Sequence, residues 1–486
     1  MPLQILSLRY GILPITLLFF FSLLGINLYQ GSYFYYFFFD IAWLIVLLSA
    51  FCFSQSYVIF YIQLMLFLGF WAKFMGTLIL GVALVEPTGY WSTEFFANAA
   101  SWDRVLLVSG LAACGIWLAN LFFFFITKNG SKRNQELHNP PQWYVKHSNL
   151  IWPFIFTLGV AISIINVVYR ISVTGFRPQV VLPFHLNAIL LWIMVIAIPL
   201  CMATFLGWEP DAKQKRRRFY WVCFLALFAS LSILSRAIYF FWTLPYILIL
   251  LSASDFSLKK LSLWASRKEI FIYLVCAVIS LFLVNTLRIN SYVIATSPTV
   301  SLEKTLNESV LLSEKFSQLK KLFVGRWVGL EAVMATTAFP ESGLAFFKKG
   351  LLEKPSVGDI GIYTRGVLKP NKYHNTEKTM FSSLPGLAGI LNYSHSNALV
   401  FWGMFGVCFF LCWVEKIIFL MMKNKFLLSQ QGFILSYWCV SGLNIPYLGV
   451  INLFECLFVS VFLMLISFGY DWIGKYINKN PSLCSV

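Results

Sequence analysis

The sequence predicts an all-α polytopic membrane protein with about twelve transmembrane helices and one large external loop that contains short amphipathic helices. Of its 486 residues, 59% are hydrophobic and only 12% are charged, whereas soluble domains are about 45–50% apolar and about 25% charged. Many apolar stretches are long enough to cross about 30 Å of hydrocarbon at 1.5 Å per residue. Because these stretches are apolar nearly all round and do not alternate, an outer-membrane barrel is excluded.

Twelve apolar stretches are predicted to be spans. They lie near 11–29, 33–53, 57–84, 105–126, 150–170, 186–207, 219–235, 237–252, 269–287, 396–420, 431–447 and 449–470. The first follows Arg9 without a small-residue cleavage site, which is typical of an uncleaved span. The chain is therefore predicted to comprise an N-terminal bundle of about nine spans (1–287), an external loop segment (288–395), and a C-terminal bundle of about three spans with a cytoplasmic tail (396–486).

The net charge of +17 lies mainly in loops. Basic residues crowd the loops at 128–146, 213–218, 259–268 and 416–425, which fall on one side of the predicted membrane. The positive-inside rule makes that side cytoplasmic, together with both termini. The loop segment falls on the opposite side, because long loops are translocated largely regardless of their charge. No basic stripe interleaved with aromatic residues is left to indicate nucleic-acid binding.

The loop segment has helical signals of its own. Four apolar residues at helical spacing predict an amphipathic helix along the membrane interface. They are Leu312, Phe316, Leu319 and Phe323. Two short helices are predicted at 327–338 and 343–352, with a break at Pro340. The dipeptide Pro385-Gly386 precedes a further segment, 387–393, that could re-enter the membrane.

Four ionisable residues fall within the spans or at their turns, where a charge is costly and by default marks a functional site. They are Asp40, Lys73, Arg236 and Glu455. All four lie in the outer half of the predicted membrane, so one hypothesis is a polar chamber that opens outward beneath the loop segment. The alternative is structural: Asp40 pairs with Lys73 between neighbouring helices, while Glu455 and Arg236 extend to the surface.

Arginines on the outer side are candidates to bind phosphate, because a guanidinium can bind it through two parallel hydrogen bonds. Three lie in the loop segment and two in a neighbouring outer loop. They are Arg288, Arg326, Arg365, Arg170 and Arg177. Arg326 is singled out because Gly325 and Trp327 flank it on a predicted apolar helix. The alternative for each is a solvated side chain or a contact with lipid headgroups.

Two residues of the loop segment are candidate bases toward a sugar hydroxyl. Glu331 follows Arg326 on the same predicted helix but faces a different side. His395 lies beside the tenth predicted span, and a histidine can accept a hydroxyl proton. His185 and His374 are further histidines on the outer side. A structural ion pair or a solvated side chain is the alternative for these groups.

Several other chemistries have no signature in the chain. It lacks the full phosphate-binding motif G-x-x-x-x-G-K-[ST], an H-E-x-x-H motif, and a pair of aspartates separated by one residue. Of its ten cysteines, nine lie in predicted spans, so neither a disulfide framework nor a zinc site is indicated. The sequence thus favours an enzyme that uses an already activated membrane lipid, or a transporter that moves one, with no metal or other cofactor.

Two local motifs resemble the O-antigen polymerase family, the enzymes that polymerise oligosaccharide repeat units of bacterial surface polysaccharides. They are Phe323-Val-Gly-Arg-Trp-Val-Gly-Leu-Glu331, and Leu384-Pro-Gly-Leu-Ala-Gly followed by Tyr393-Ser-His-Ser. The topology is also similar to that family over most of the chain. It has about a dozen spans, cytoplasmic ends, and one large outer loop late in the chain.

This resemblance implies transfer of a glycan from undecaprenyl diphosphate to the terminal sugar of another lipid-linked repeat unit, at the outer face of the bacterial inner membrane. It implies that Arg326 binds the diphosphate, with Arg177 and Arg236 next, and that Glu331 or His395 is the base. The expected partners are undecaprenyl-diphosphate-linked oligosaccharide, membrane lipid and a chain-length regulator protein. The alternatives are an O-antigen ligase, or a flippase or other transporter of lipid-linked oligosaccharide.

Overall fold

A computed structural model describes residues 8–81, 84, 86, 88–91, 99–128, 140–253, 263–296, 327–354, 361–368, 383–442 and 446–479. Within these ranges the chain forms helices and no strand. Eight helices are long and apolar enough to cross a membrane. The prediction of a helical multi-pass membrane protein is confirmed at this level.

The helices of the described residues are numbered in chain order. They are α1 Leu8–Leu28, α2 Tyr33–Cys52, α3 Tyr57–Leu80, α4 Ala99–Lys128, α5 Gln142–Tyr169, α6 Pro183–Trp208, α7 Ala212–Ile233, α8 Arg236–Ala253, α9 Leu263–Thr296, α10 Leu330–Ala338, α11 Leu344–Leu351, α12 Gly386–Asn392, α13 Asn397–Met422, α14 Lys425–Ser441 and α15 Pro446–Lys479. The eight candidate spans lie in α2–α6, α9, α13 and α15. The other four predicted spans are helical too, in α1, α7, α8 and α14, but the count of twelve stays a prediction.

Local chemistry accounts for several helix ends. The Ser56 side chain accepts a hydrogen bond from the backbone N–H of Ile59, and the Asp211 side chain accepts one from that of Lys213. Each bond satisfies an N–H that has no partner within the helix. Gly81 ends α3 with a φ of 60°, a left-handed conformation that favours glycine.

The helices group into two compact units. The first contains Met1–Arg133, Ile294–Val414 and Leu435–Asn452. The second contains Asn134–Val293, Glu415–Ile434 and Leu453–Val486.

Close helix contacts through glycine characterise the first unit. A Cβ at Gly110 of α4 would lie 2.6 Å from the Phe38 ring of α2, and one at Gly115 would lie 2.5 Å from the carbonyl oxygen of Phe401 in α13. The indole N–H of Trp43 also donates to Ser109 at 3.0 Å, which joins α2 to α4. Small residues at such crossings let apolar helices pack closely without a hydrophobic driving force.

Buried polar contacts characterise the second unit. The Asn166 side chain of α5 donates to the hydroxyl of Ser232 in α7 at 2.8 Å, and the Asn424 side chain donates to the carbonyl of Thr204 in α6 at 2.8 Å. Gly159 faces Leu225 where α5 packs on α7. Interhelical hydrogen bonds of this kind are worth about 0.6–2 kcal/mol each in a membrane.

The predicted short helices of the loop segment are confirmed where the structure describes them. The helix predicted at 327–338 begins later, at Leu330, and α11 matches the helix predicted at 343–352. The break between them falls at Pro340, as predicted. The segment predicted at 387–393 forms α12. The amphipathic helix predicted from Leu312 to Phe323 lies outside the described residues.

Candidate functional site

A buried ion pair joins α3 to α10 in the first unit. The Nζ atom of Lys73 lies 2.6 Å from Oε2 of Glu331, and it also donates to the backbone carbonyl of Trp327. The two residues are only 1% and 3% exposed. Lys73 therefore forms its salt bridge with Glu331 of α10. The structural alternative, in which Lys73 pairs with Asp40 of α2, is wrong.

A distortion of α3 positions this lysine. The helix contains a π-helical turn at Leu68–Ala72, directly before Lys73, and such turns are frequent at functional sites. Within that turn, a Cβ at Gly69 would lie 2.0 Å from the carbonyl oxygen of Val328. The missing side chain thus allows the backbone before α10 to lie directly against α3, where Lys73 reaches it.

The two carboxylate oxygens of Glu331 differ in their hydrogen bonds. It lies in the first turn of α10, where the helix dipole favours negative charge. Burial raises the pKa of Glu331, although the positive charge of Lys73 opposes that shift. Among the described residues, Oε1 is buried and has no hydrogen-bond partner. A carboxylate held at one oxygen and open at the other can accept a proton from a bound hydroxyl.

His395 is not part of α10 but contacts that helix about one turn after Glu331. Its Nε2 atom is 3.1 Å from the carbonyl oxygen of Thr336. When Nε2 carries the proton and donates to that carbonyl, Nδ1 is the ring atom that can accept one. His395 is exposed and has a φ of 52°, a left-handed conformation that is uncommon outside glycine. The structure thus brings both predicted bases to the same short helix.

Arg104 is a site residue that the sequence did not single out. Its guanidinium donates to the backbone carbonyl of His395 at 3.1 Å and so joins the start of α4 to the turn before α13. In the sequence Arg104 merely flanks a predicted span, as many arginines do. Its proximity to His395, 291 residues away, depends on tertiary structure alone.

Other buried polar atoms of the first unit also have no partner in the described chain. Asn392 of α12 donates to the hydroxyls of Thr336 at 2.8 Å and Thr337 at 3.1 Å, but its Oδ1 atom is buried without a partner in the described chain. The same holds for the hydroxyls of Thr364 and Tyr393. Folded proteins pair the large majority of buried polar atoms. Glu331, Asn392, Thr364 and Tyr393 thus each carry a buried oxygen of the first unit that can accept a hydrogen bond.

An apolar core supports these groups. Phe346 packs against Phe339 at 4.8 Å and against Tyr393 at 5.1 Å between ring centroids, and the same cluster contains Tyr363 and Ala335. The cluster ties α10, α11 and α12 to each other. The polar atoms of the site are thus carried on a packed scaffold.

Asp40 has a separate environment. It is 5% exposed and accepts hydrogen bonds from Ser22 at 2.8 Å and from the indole N–H of Trp71 at 2.6 Å. These bonds join α1, α2 and α3 around one carboxylate. The arrangement gives Asp40 a structural role within the first unit.

The predicted arginines are distributed over both units. Arg365 lies in the first unit and forms an exposed pair with Glu353 at 2.9 Å. Arg170 and Arg177 are exposed on a loop of the second unit, which also contains His185, Arg236, Arg288 and Glu455. Arg326 and His374 lie outside the described residues.

The chemistry of this site rests on carboxylate, imidazole, hydroxyl and amide groups. Among the described residues, no group of three or more His, Cys, Asp or Glu side chains lies close enough to hold a metal ion. No protein-family model, curated protein or solved structure matches this chain.

Proposed function

We propose that the protein is a membrane glycosyltransferase that polymerises surface-polysaccharide repeat units. It would transfer a glycan from undecaprenyl diphosphate to the terminal sugar of another lipid-linked repeat unit, without a metal ion. The observation that supports this most is the environment of the buried Glu331 carboxylate. Lys73 binds one of its oxygens, and the other has no hydrogen-bond partner among the described residues. A sugar hydroxyl is a poor nucleophile unless a base removes its proton.

In this mechanism Oε1 of Glu331 accepts the proton of the acceptor hydroxyl. The hydroxyl oxygen forms a bond to the anomeric carbon of the donor as the bond from that carbon to the diphosphate breaks. Undecaprenyl diphosphate leaves with the bonding electron pair. Arg326 would bind its negative charge. One preorganised charged contact of this kind lowers a barrier by roughly 3–4 kcal/mol.

The unpartnered oxygens suit a polyhydroxyl acceptor. Oδ1 of Asn392 and the hydroxyls of Thr364 and Tyr393 can each accept a hydrogen bond from a sugar hydroxyl. Buried acceptors left without a donor cost about 1–3 kcal/mol each, so a ligand that supplies the donors gains that energy. This supports a sugar as a ligand of the first unit.

The proposed location is the bacterial inner membrane, with both termini in the cytoplasm and the loop segment on the outer face. The sequence supports it through the basic loops on the opposite side. Partners would be undecaprenyl-diphosphate-linked oligosaccharide, membrane lipid and a chain-length regulator protein.

The test is the chain-length pattern of surface polysaccharide in cells that carry variants. We expect Glu331→Gln and Arg326→Lys each to reduce long chains to single capped repeat units at normal protein level. Arg217→Gln, an exposed arginine on the predicted cytoplasmic side, is the matched control and should preserve the ladder. Unchanged ladders in both site variants would contradict the proposal, and accumulation of lipid-linked units on the cytoplasmic side would indicate a flippase instead.

The pH dependence of transfer tests the role of Glu331 as a base. Because burial raises its pKa, Glu331 should lose its proton at a higher pH than an ordinary glutamate, whose pKa is about 4.3. We expect the transfer rate of the purified protein to fall as the pH drops below this raised pKa. Glu331→Asp keeps a carboxylate, so its rate should also fall at low pH. A rate that falls only at or below the pKa of an ordinary glutamate would contradict the assignment.

An O-antigen ligase is the second candidate. The observation that favours it is the contact between Arg104 and His395, because a ligase is expected to need an arginine and a histidine together on the outer side. A ligase would leave polymer on its lipid and the core uncapped when the gene is deleted. A polymerase would leave one capped repeat unit.

A further inference from the structure

The outward face of α11 combines exposed leucines with lysines. Leu344 is 58% exposed, Leu351 is 45% exposed, and Leu352, which directly follows the helix, is 79% exposed. Lys348 and Lys349 are exposed on the same helix. Apolar side chains interleaved with lysines are typical of helices that lie in a membrane interface.

The opposite face of α11 is fixed to the first unit. Phe346 is buried against Tyr393, and a Cβ at Gly350 would lie 3.1 Å from the same ring. The backbone N–H of Gly343 donates to the carbonyl of Tyr393 at 2.7 Å. The protein therefore covers one side of α11 and leaves the leucines and lysines facing outward.

These contacts also set the level of α11 relative to the spans. Tyr393 precedes the start of α13, a candidate span, by four residues. The next residue but one, His395, is joined to Arg104 in the first turns of α4, another candidate span. Because α11 packs on the turn where α13 begins, it lies at the depth where such helices leave the hydrocarbon and meet the lipid headgroups.

We propose that α11 is an interfacial anchor that binds the surface of the membrane leaflet next to it. The leucines would enter the boundary between headgroups and acyl chains, and Lys348 and Lys349 would contact anionic headgroups. Local charge supports an anionic partner. Lys354 is also exposed, while Glu353 is paired with Arg365. The anchor is independent of the proposed transfer reaction and would hold α10 and α12 at the membrane surface.

Photocrosslinking to lipid tests this assignment. The full chain, with a photoreactive amino acid at Leu352, is reconstituted in nanodiscs of phosphatidylcholine alone or with phosphatidylglycerol added. Leu420, 64% exposed in α13, is the positive control. We expect lipid adducts at both positions, with a higher yield at Leu352 when phosphatidylglycerol is present.

Replacing the lysines tests the headgroup contact separately. Lys348→Gln and Lys349→Gln should each lower the yield at Leu352 in the anionic bilayer by about fivefold and leave Leu420 unchanged. Lys213→Gln, an exposed lysine of the second unit, is the matched control and should have no effect. Equal yields in both bilayers would overturn the headgroup contact. Adducts to protein, or no adduct at Leu352, would overturn the anchor itself.

Discussion

Each unit contains a buried ion pair, and the two pairs differ in how fully their polar atoms are satisfied. In the second unit, Arg218 contacts Glu209 and also donates to the Tyr144 hydroxyl at 2.7 Å and to Gln214 at 2.9 Å. Its guanidinium lies over the ring of Trp152, 5.5 Å from the centroid. In the first unit, Lys73 holds one oxygen of Glu331 and leaves the other without a partner in the described chain.

Under the proposed function, this difference separates a structural pair from a functional one. Burying charges costs several kcal/mol each, which is offset only when good geometry and further hydrogen bonds accompany the pair. Arg218 and Glu209 have those bonds, so they stabilise the junction of α5, α6 and α7. The pair of Lys73 and Glu331 is less complete, and functional sites are where such violations are expected.

The largest predicted effect is at Lys73. Lys73→Met would leave the Glu331 carboxylate buried without a counter-ion, and we expect it to lower the free energy of unfolding by about 3–5 kcal/mol. Unfolding of the purified protein in detergent measures it. The double variant Lys73→Met with Glu331→Leu should recover most of that loss, since both charges are gone. If Lys73→Met alone is as stable as the parent, Lys73 and Glu331 do not form a buried charged pair.

The close approach at Gly69 is the next largest. Gly69→Ala places a methyl group 2.0 Å from the Val328 carbonyl oxygen, so the backbone before α10 must move away from α3. We expect a loss of about 1–3 kcal/mol in unfolding free energy. Gly406→Ala in α13, where a Cβ would meet nothing within 4 Å, is the matched control and should stay within about 0.5 kcal/mol. Equal losses of unfolding free energy in the two variants would show that the backbone before α10 does not lie this close to Gly69.

A smaller effect is expected at Arg218. Arg218→Lys keeps the charge beside Glu209 but loses the planar stacking and the forked hydrogen bonds, which should cost about 1–2 kcal/mol of stability. Chain length of the polysaccharide per molecule of protein should not change, because the second pair is structural. Shortened chains at normal protein level would place this pair in the mechanism and remove the contrast between the units.

The smallest effect is expected at Arg365. Its side chain is half exposed in its pair with Glu353, and exposed pairs contribute about 0.2–1 kcal/mol. We expect Arg365→Gln to change the free energy of unfolding by no more than this, and less at high salt because ions screen the pair. A loss as large as that of Lys73→Met would mean that Arg365 belongs to the buried network.

The fold could be predicted further than the site. Hydropathy and length locate helices because they depend on neighbours along the chain, and the same local signals predict the break at Pro340 and the helices α10 and α11. The helix α10 begins three residues later than predicted, because the backbone at 327–329 bends where the Val328 carbonyl lies against Gly69 of α3. Arg104 was missed, since only tertiary structure brings it to His395.

Residue types and hydropathy alone predict a helical membrane protein in which Glu331 and His395 are titratable groups beside its spans. Which charges meet depends on the packing of distant segments. Lys73 and Glu331 are 258 residues apart, and their pairing depends on Gly69 and a π-helical turn that admit the backbone before α10. Composition and periodicity predict structure over a few turns of helix. A buried ion pair forms between distant residues because burying either charge without a partner would cost more free energy.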